Sequence, residues 1–327
     1  MKTTKGLINQ LELGYSPMTA YEFTLNKKDK LIEKALEFSS LYILAKRPVI
    51  TFENITFDYI QYRLNFEIHQ KNNSKTLKGS LSLIQEEVSK KDDTIAVAFN
   101  FLDNNIIQKT EPFNNVHGFS LVEVNGDNQK FLLWFSPEKL LQNWWKGYVE
   151  CEIIGDYKSF LNYDVLYVGK ATRQSILKRL TGHETLQDIL SLETPVTEHQ
   201  LPANEVVILP FEFQDNLQIH SFGDDSDVDT MVSAFMGEFY PSQEKVFLDA
   251  EKALINSMLP KYNSELFNNY PISKDGLYKD NYDSITYKFV DPITLRYENG
   301  EICGDDSYLG GDFIVVENNE KVSLYKS

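Results

Sequence analysis

Between residues 148 and 258 the chain reads as two strands, a helix, a third strand, a long polar connection and a second helix. That order constrains the fold more than any other feature, because a small sheet built this way must bury its faces under its own helices. Residues 148–154 are rich in β-branched and aromatic side chains, and Gly155-Asp156 turns the chain into a second strand at 164–169. Residues 175–190 have helical spacing, with Ile176, Leu177, Leu180, Leu186, Ile189 and Leu190 near one face, although Gly182 is placed to break that helix. A third strand is expected at 205–213, an acidic polar insertion at 214–241, and a helix at 242–258 with Ser242 as its N-cap.

The flanking sequence reads differently. Residues 27–46 place Leu31, Ile32, Ala35, Leu36 and Ile43 close to helical spacing. Strand-like runs follow at 49–52, 57–68, 81–84 and 94–101, and the runs 121–124 and 131–135 flank a hairpin turn at Asn125-Gly126-Asp127. Ser136-Pro137 opens a helix that Gly147 closes. Strand-like alternation returns at 285–290, 293–297, 313–316 and 322–325. The expected fold class is therefore α+β. It comprises an N-terminal α+β domain at 1–146, a β-β-α-β-α module at 147–270, and a β-rich extension at 271–327.

Hydrophobic residues make up 42% of the 327, enough for a substantial core. No run of about 18 apolar residues occurs, so no membrane span is expected. The opening residues lack an apolar stretch of the signal-peptide kind, and the two cysteines, Cys151 and Cys303, fit neither a disulfide framework nor a zinc site. A reduced, cytoplasmic protein is expected. The formal net charge of −16 disfavours nucleic acid at long range, so any phosphate contact requires a local basic patch. The acidic 214–241 insertion lacks the spacing of a calcium loop. Nor does it show the regular spacing that an acidic mimic of DNA would need.

One constellation carries chemistry. Tyr167 ends a strand just before Gly169, Lys170 and Arg173 follow, and Arg179 and His183 lie four positions apart beyond them. A phenol, a guanidinium and an imidazole beside a tight turn suit a phosphate. Each residue taken alone is more often structural: a packed tyrosine, a solvated arginine, a satisfied histidine. Their order is more informative. The segment LYVGKATRQSILKRLTGH resembles the second half of the GIY-YIG nuclease signature, with Tyr167-Val168-Gly169 as the YIG element, Arg179 twelve positions after Tyr167, and His183 one turn on. Downstream, EKALINSMLPKYN resembles the closing motif of that family, with Glu251, Leu254, Ile255, Pro260 and Asn263 in the corresponding places.

The resemblance spans about residues 147–270. For the first tyrosine of the signature, Gly147-Tyr148-Val149 is the best match, with Tyr157 and Tyr163 as rivals. Tyr148 lies 19 positions before Tyr167, so the intervening hairpin is longer than the family pattern. The resemblance implies a metal-dependent endonuclease acting on DNA. Glu251 would ligate Mg²⁺ or Mn²⁺ and Arg179 would hold the scissile phosphate. Tyr148 or Tyr167 would act on the attacking water. His183 or Lys170 would assist proton transfer or bind phosphate, with Arg173 a further phosphate contact. Asn263 would orient the site or touch substrate. Against this stands a fold without chemistry, acting as a protein-interaction module. Residues 1–146 could serve a protein partner or self-association under either reading.

Overall fold

The computed structural model describes residues 4–85, 94–102, 108–126, 128–193, 203–224, 226–238, 240–307 and 310–327. Strand accounts for 42% and helix for 23%, so the mixed α+β class holds but sheet dominates it. The chain forms two compact units, and they do not follow the expected linear partition. Unit 1 comprises Met1–Arg47, Asn162–Gln200 and Glu205–Ser327, and unit 2 comprises Pro48–Leu161 and Leu201–Asn204. Unit 2 is thus an insertion into unit 1. The expected boundary at 146/147 falls inside the insertion, and the proposed β-rich extension at 271–327 is part of unit 1.

Unit 1 begins with β1 (Thr4–Leu13), β2 (Met18–Thr19), α1 (Ala20–Asn26), α2 (Lys30–Ala35) and β3 (Leu41–Pro48). Unit 2 then supplies β4 (Ile50–Asp58), β5 (Arg63–Gln70), β6 (Thr76–Ser82), β7 (Ile95–Phe101), β8 (Val116–Asn125), β9 (Asn128–Phe135), α3 (Pro137–Trp145) and β10 (Cys151–Ile154). Unit 1 resumes with β11 (Asn162–Lys170), α4 (Ile176–Leu180), α5 (Glu184–Glu193), β12 (Asn204–Ser221), α6 (Val228–Phe235) and α7 (Gln243–Met258). It closes with β13 (Ser284–Phe289), β14 (Thr294–Tyr297), β15 (Gly300–Cys303), β16 (Phe313–Glu317) and β17 (Lys321–Tyr325).

The large sheet of unit 1 runs β15-β14-β11-β3-β12-β1-β13-β16-β17, with β2 added to β12. The C-terminal strands are integral to it: β13 lies parallel to β1, and β14 lies parallel to the start of β11. Unit 2 is a sheet in the order β10-β6-β5-β4-β8-β7, with β9 on β8. Its hairpin between β8 and β9 carries Gly126 at φ 61°, as the turn requires, while Asp127 lies outside the described residues. Ser136 caps α3 with Pro137 at the first helical position, as expected.

Four local expectations are corrected. The helix expected over 27–46 exists only as α2, capped by Asp29, and the chain from Leu41 onward is strand. The first five residues of β3 are all buried, so the run shows no alternation and resembles a buried helix segment by pattern alone. The helix expected over 175–190 splits into α4 and α5 at Gly182, whose φ of 79° no continuing helix tolerates. The strand expected over 148–154 begins only at Cys151. The acidic 214–241 segment is not purely a loop, since it holds the end of β12 and all of α6.

One apolar cluster in unit 1 positions the site. It joins Tyr42 and Leu44 of β3, Leu166 of β11, Ile176, Leu177 and Leu180 of α4, Leu186 and Ile189 of α5, and Val206 and Ile208 of β12. Tyr167 and Tyr262 pack against its edge. Helix α7 packs on β11 and buries Glu251 along with its apolar face.

Candidate active site

The site grows from the pairing of β3 with β11. Val165 faces Ala45, but Tyr167 faces Leu44, so β11 carries a bulge at Leu166. Without that extra residue, Val165 and Tyr167 would share a face. The bulge turns Tyr167 onto the face of Leu44 and, two residues away, of Tyr42. Gly169 lies directly opposite Tyr42. A β-carbon there would sit 2.6 Å from both the Tyr167 ring and the Tyr42 hydroxyl, so glycine is needed for space and not for backbone conformation. The two rings approach to 6.1 Å between centroids.

Helix α4 and the turn after it bring two more groups. Ser175 caps α4 and leaves Arg179 in its last turn, where its charge acts on both phenols and opposes the rise in their pKa. His183 does not share a continuous helix with Arg179. It stands at the start of α5, where its Nδ1 accepts the Leu186 N–H at 3.3 Å. That bond assigns the ring proton to Nε2, which therefore donates to the Tyr42 hydroxyl across 3.2 Å. The Tyr167 and His183 rings meet edge to face at 5.4 Å. Burial, then the Arg179 charge, holds His183 below its ordinary pKa, favouring this neutral tautomer.

The acidic partner comes from α7. Glu251 accepts an ion pair from Lys170, the residue after Gly169, at 2.5 Å. Burial pushes the Glu251 carboxyl up, and the Lys170 hydrogen bond opposes that shift. Burial also raises Tyr167, with the Glu251 charge adding to it and Arg179 opposing it. Tyr42 is pushed well up, chiefly by burial, so its hydroxyl stays protonated in the free protein. Tyr167 is thus the point where the fields of Arg179 and Glu251 meet.

Asn263 has a specific task. Strand β14 pairs with Asn162–Asp164 of β11, and among the described residues no strand covers the rest of that edge. The chain leaving α7 takes over. Leu259 ends the helix in the left-handed conformation, and the Tyr262 N–H then donates to the Leu166 carbonyl. Asn263 accepts the Val168 N–H at 2.9 Å and donates to its carbonyl at 2.8 Å. Its amide is engaged by the backbone of the Tyr167-Val168-Gly169 element and holds it in place, which fits an orienting role and not a phosphate contact. Glu193, at the end of α5, fastens the same region by bonding Lys46, Lys261 and Tyr262.

The structure therefore brings Tyr167, Arg179, His183, Lys170 and Glu251 together, with Asn263 beneath them. Arg173 is exposed in the turn before α4, and no hydrogen bond or ion pair joins it to the cluster among the described residues. Tyr148 belongs to unit 2, where it is 68% exposed outside any strand. Of its rivals, Tyr157 also lies in unit 2, and Tyr163 is fully buried in β11 before the bulge. Tyr42, which the sequence reading did not single out, is the tyrosine whose ring meets Tyr167. Its signal was the run Leu41-Tyr42-Ile43-Leu44, hidden because it lies on the far side of a whole inserted unit.

Among the described residues, no group of three His, Cys, Asp or Glu side chains is arranged to hold a metal ion. A lone carboxylate such as Glu251 fits only a hard cation that keeps most of its water, which is the behaviour of Mg²⁺. Residues 165–183 carry Lys170, Arg173, Lys178 and Arg179 and no carboxylate, so this stretch is basic within an acidic chain. Comparison with protein-family models, with curated proteins and with solved structures finds no match to this chain.

Proposed function

We propose that unit 1 is a phosphodiesterase of the GIY-YIG type, a metal-dependent endonuclease acting on DNA, with Tyr42 as the first tyrosine of the signature. The observation that carries this reading is the convergence of the Tyr42, Tyr167 and His183 rings, with Tyr42 hydrogen-bonded to His183, under the Arg179 charge that acts on all three, and with the Glu251–Lys170 pair beside them. The strands are those of an antiparallel hairpin whose connecting loop has been replaced by unit 2. No helix of the described chain is long and apolar enough to cross a membrane. A cytoplasmic setting agrees with two free thiols.

In this reading Arg179 captures the phosphate and brings it within reach of both phenols. Tyr42 orients the attacking water through its hydroxyl oxygen, which His183 Nε2–H holds in place; the water's proton passes to solvent as its oxygen bonds to phosphorus, and the leaving ester oxygen takes up a proton from solvent. Glu251 would hold Mg²⁺ or Mn²⁺, which would supply charge relief at the phosphate. Lys170, released from Glu251, is free to pair with the substrate. Asn263 keeps the Tyr167 backbone in register.

The test is nicking of supercoiled plasmid DNA in Mg²⁺ or Mn²⁺, with Tyr42→Phe, Arg179→Ala and Glu251→Ala compared with the parent chain. Loss of cleavage in all three supports the reading, and cleavage that survives Glu251→Ala and Arg179→Ala overturns it. A second reading is a binding module without chemistry. It is favoured by the net charge of −16 and by the ion pair that already engages the Glu251 carboxylate. Complete inactivity of the parent chain, with its fold intact, would support that reading.

A further inference from the structure

We propose that α6 is a docking helix for a basic partner protein, separate from the nuclease reading above. The helix spans Val228–Phe235, is capped by Asp227, and buries none of its side chains. Val228, Val232, Phe235 and Met236 recur at helical spacing and form one apolar stripe. Their exposures are 71%, 52%, 85% and 74%. An exposed phenylalanine and methionine side by side on an amphipathic helix are the anchors of a helix-in-groove contact, with Met adding an adaptable surface.

The charge around the stripe identifies the occupant. Residues 214–244 contain no lysine or arginine, whereas Asp224, Asp229 and Glu238 are exposed near the two ends of α6. An apolar groove with a basic rim matches this pattern in both hydrophobicity and charge. A second copy of this chain would bring acid against acid. DNA and an anionic lipid surface would be repelled for the same reason. The partner is therefore a cationic protein that receives α6 in an apolar groove or offers a basic amphipathic helix of its own. The acidic character that is awkward for a nuclease has a use here, because it steers a basic partner to a face outside the Tyr42–Glu251 cluster.

The experiment uses the full chain and a fluorescent 18-residue amphipathic helical peptide with leucine on one face and lysine on the other. Fluorescence anisotropy gives the dissociation constant at several salt concentrations, and hydrogen–deuterium exchange maps the contact. Saturable binding is expected, with slowed exchange across residues 226–238. Phe235→Ser with Met236→Ser should weaken binding at least tenfold. Asp229→Asn with Glu238→Gln should weaken it several-fold and flatten its salt dependence. Neither pair should change the melting temperature materially, since no residue of α6 is fully buried and Phe235 gives up only a half-exposed ring contact with Phe222. Three results would overturn the proposal: no saturable binding, unchanged binding by the Phe235→Ser/Met236→Ser variant, or equally tight binding of a glutamate-for-lysine version of the peptide. Sedimentation analysis adds a fourth. Self-association that Phe235→Ser abolishes would make a second copy the occupant and refute the cationic partner.

Discussion

Replacing Tyr42 with phenylalanine removes one oxygen from the centre of the candidate site and little else. In the proposed mechanism the loss is that of a group acting on the proton of the attacking water, so nicking should fall about 10²–10⁴-fold. Tyr148→Phe, which changes an exposed side chain of unit 2, should leave the rate unchanged. Plasmid nicking rates of the two variants separate the two tyrosines. Lys170 invites a different measurement. Its ammonium pairs with the carboxylate that would hold the metal, so it competes with a divalent cation for Glu251. Lys170→Met should therefore tighten Mn²⁺ binding to the free protein several-fold in a calorimetric titration, even if it slows cleavage. An unchanged affinity would show that the ion pair imposes no such competition. Tyr167, Arg179, His183 and Glu251 were legible in the sequence because their spacing is local or matches a known order. Tyr42 was not, because its partners lie far away: 141 positions separate it from His183.

At the level of the element, the edge of β11 is completed by two side chains. Asn263 substitutes for a missing strand at Val168, and Glu193 ties α5 to β3 and to the chain leaving α7. Asn263→Ala leaves the Val168 N–H and carbonyl without these partners and should cost about 1–3 kcal/mol in urea unfolding. Glu193 sets a pH dependence. Its bonds to Lys261 and Lys46 lower its carboxyl from an ordinary 4.5 to about 2. A carboxyl lowered by folding contributes stability above its unfolded value and loses it as pH falls through its folded value. The melting temperature of the parent should thus exceed that of Glu193→Gln above about pH 4.5, and the two should converge as pH falls toward about 2. A gap that stays constant over that range would show that the charge of Glu193 contributes nothing. The elements themselves were unevenly legible. Helix α7 announced itself through Ser242 and its long periodic run, whereas β3, buried from its first residue, gave no alternating pattern to find.

For the whole molecule, the consequential feature is the insertion of Pro48–Leu161 between two strands that pair directly. Lys46 faces Asp164 in that pairing, so the chain ends that unit 2 connects are already side by side. Replacing residues 48–161 with a turn of a few residues should therefore let unit 1 close as an ordinary hairpin, at a lower loop-closure cost than the parent. Cooperative thermal unfolding with retained near-ultraviolet dichroism is the expected result. A molten, non-cooperative product would show that unit 1 needs unit 2 to fold.

What the sequence settled by itself lies within a turn or two of each residue. Serine caps at 136 and 242, the glycine turn at 126, the helix break at Gly182 and the order Tyr167–Arg179–His183 are all written in short-range backbone and side-chain preferences. The tertiary structure alone decided which tyrosine meets Tyr167, where the C-terminal strands belong, and that the middle of the chain is an insertion. Strand pairing is the physical reason. A strand states which of its faces is apolar, but its partner is fixed only when hydrogen bonds and burial are satisfied across the whole sheet, however distant that partner is along the chain.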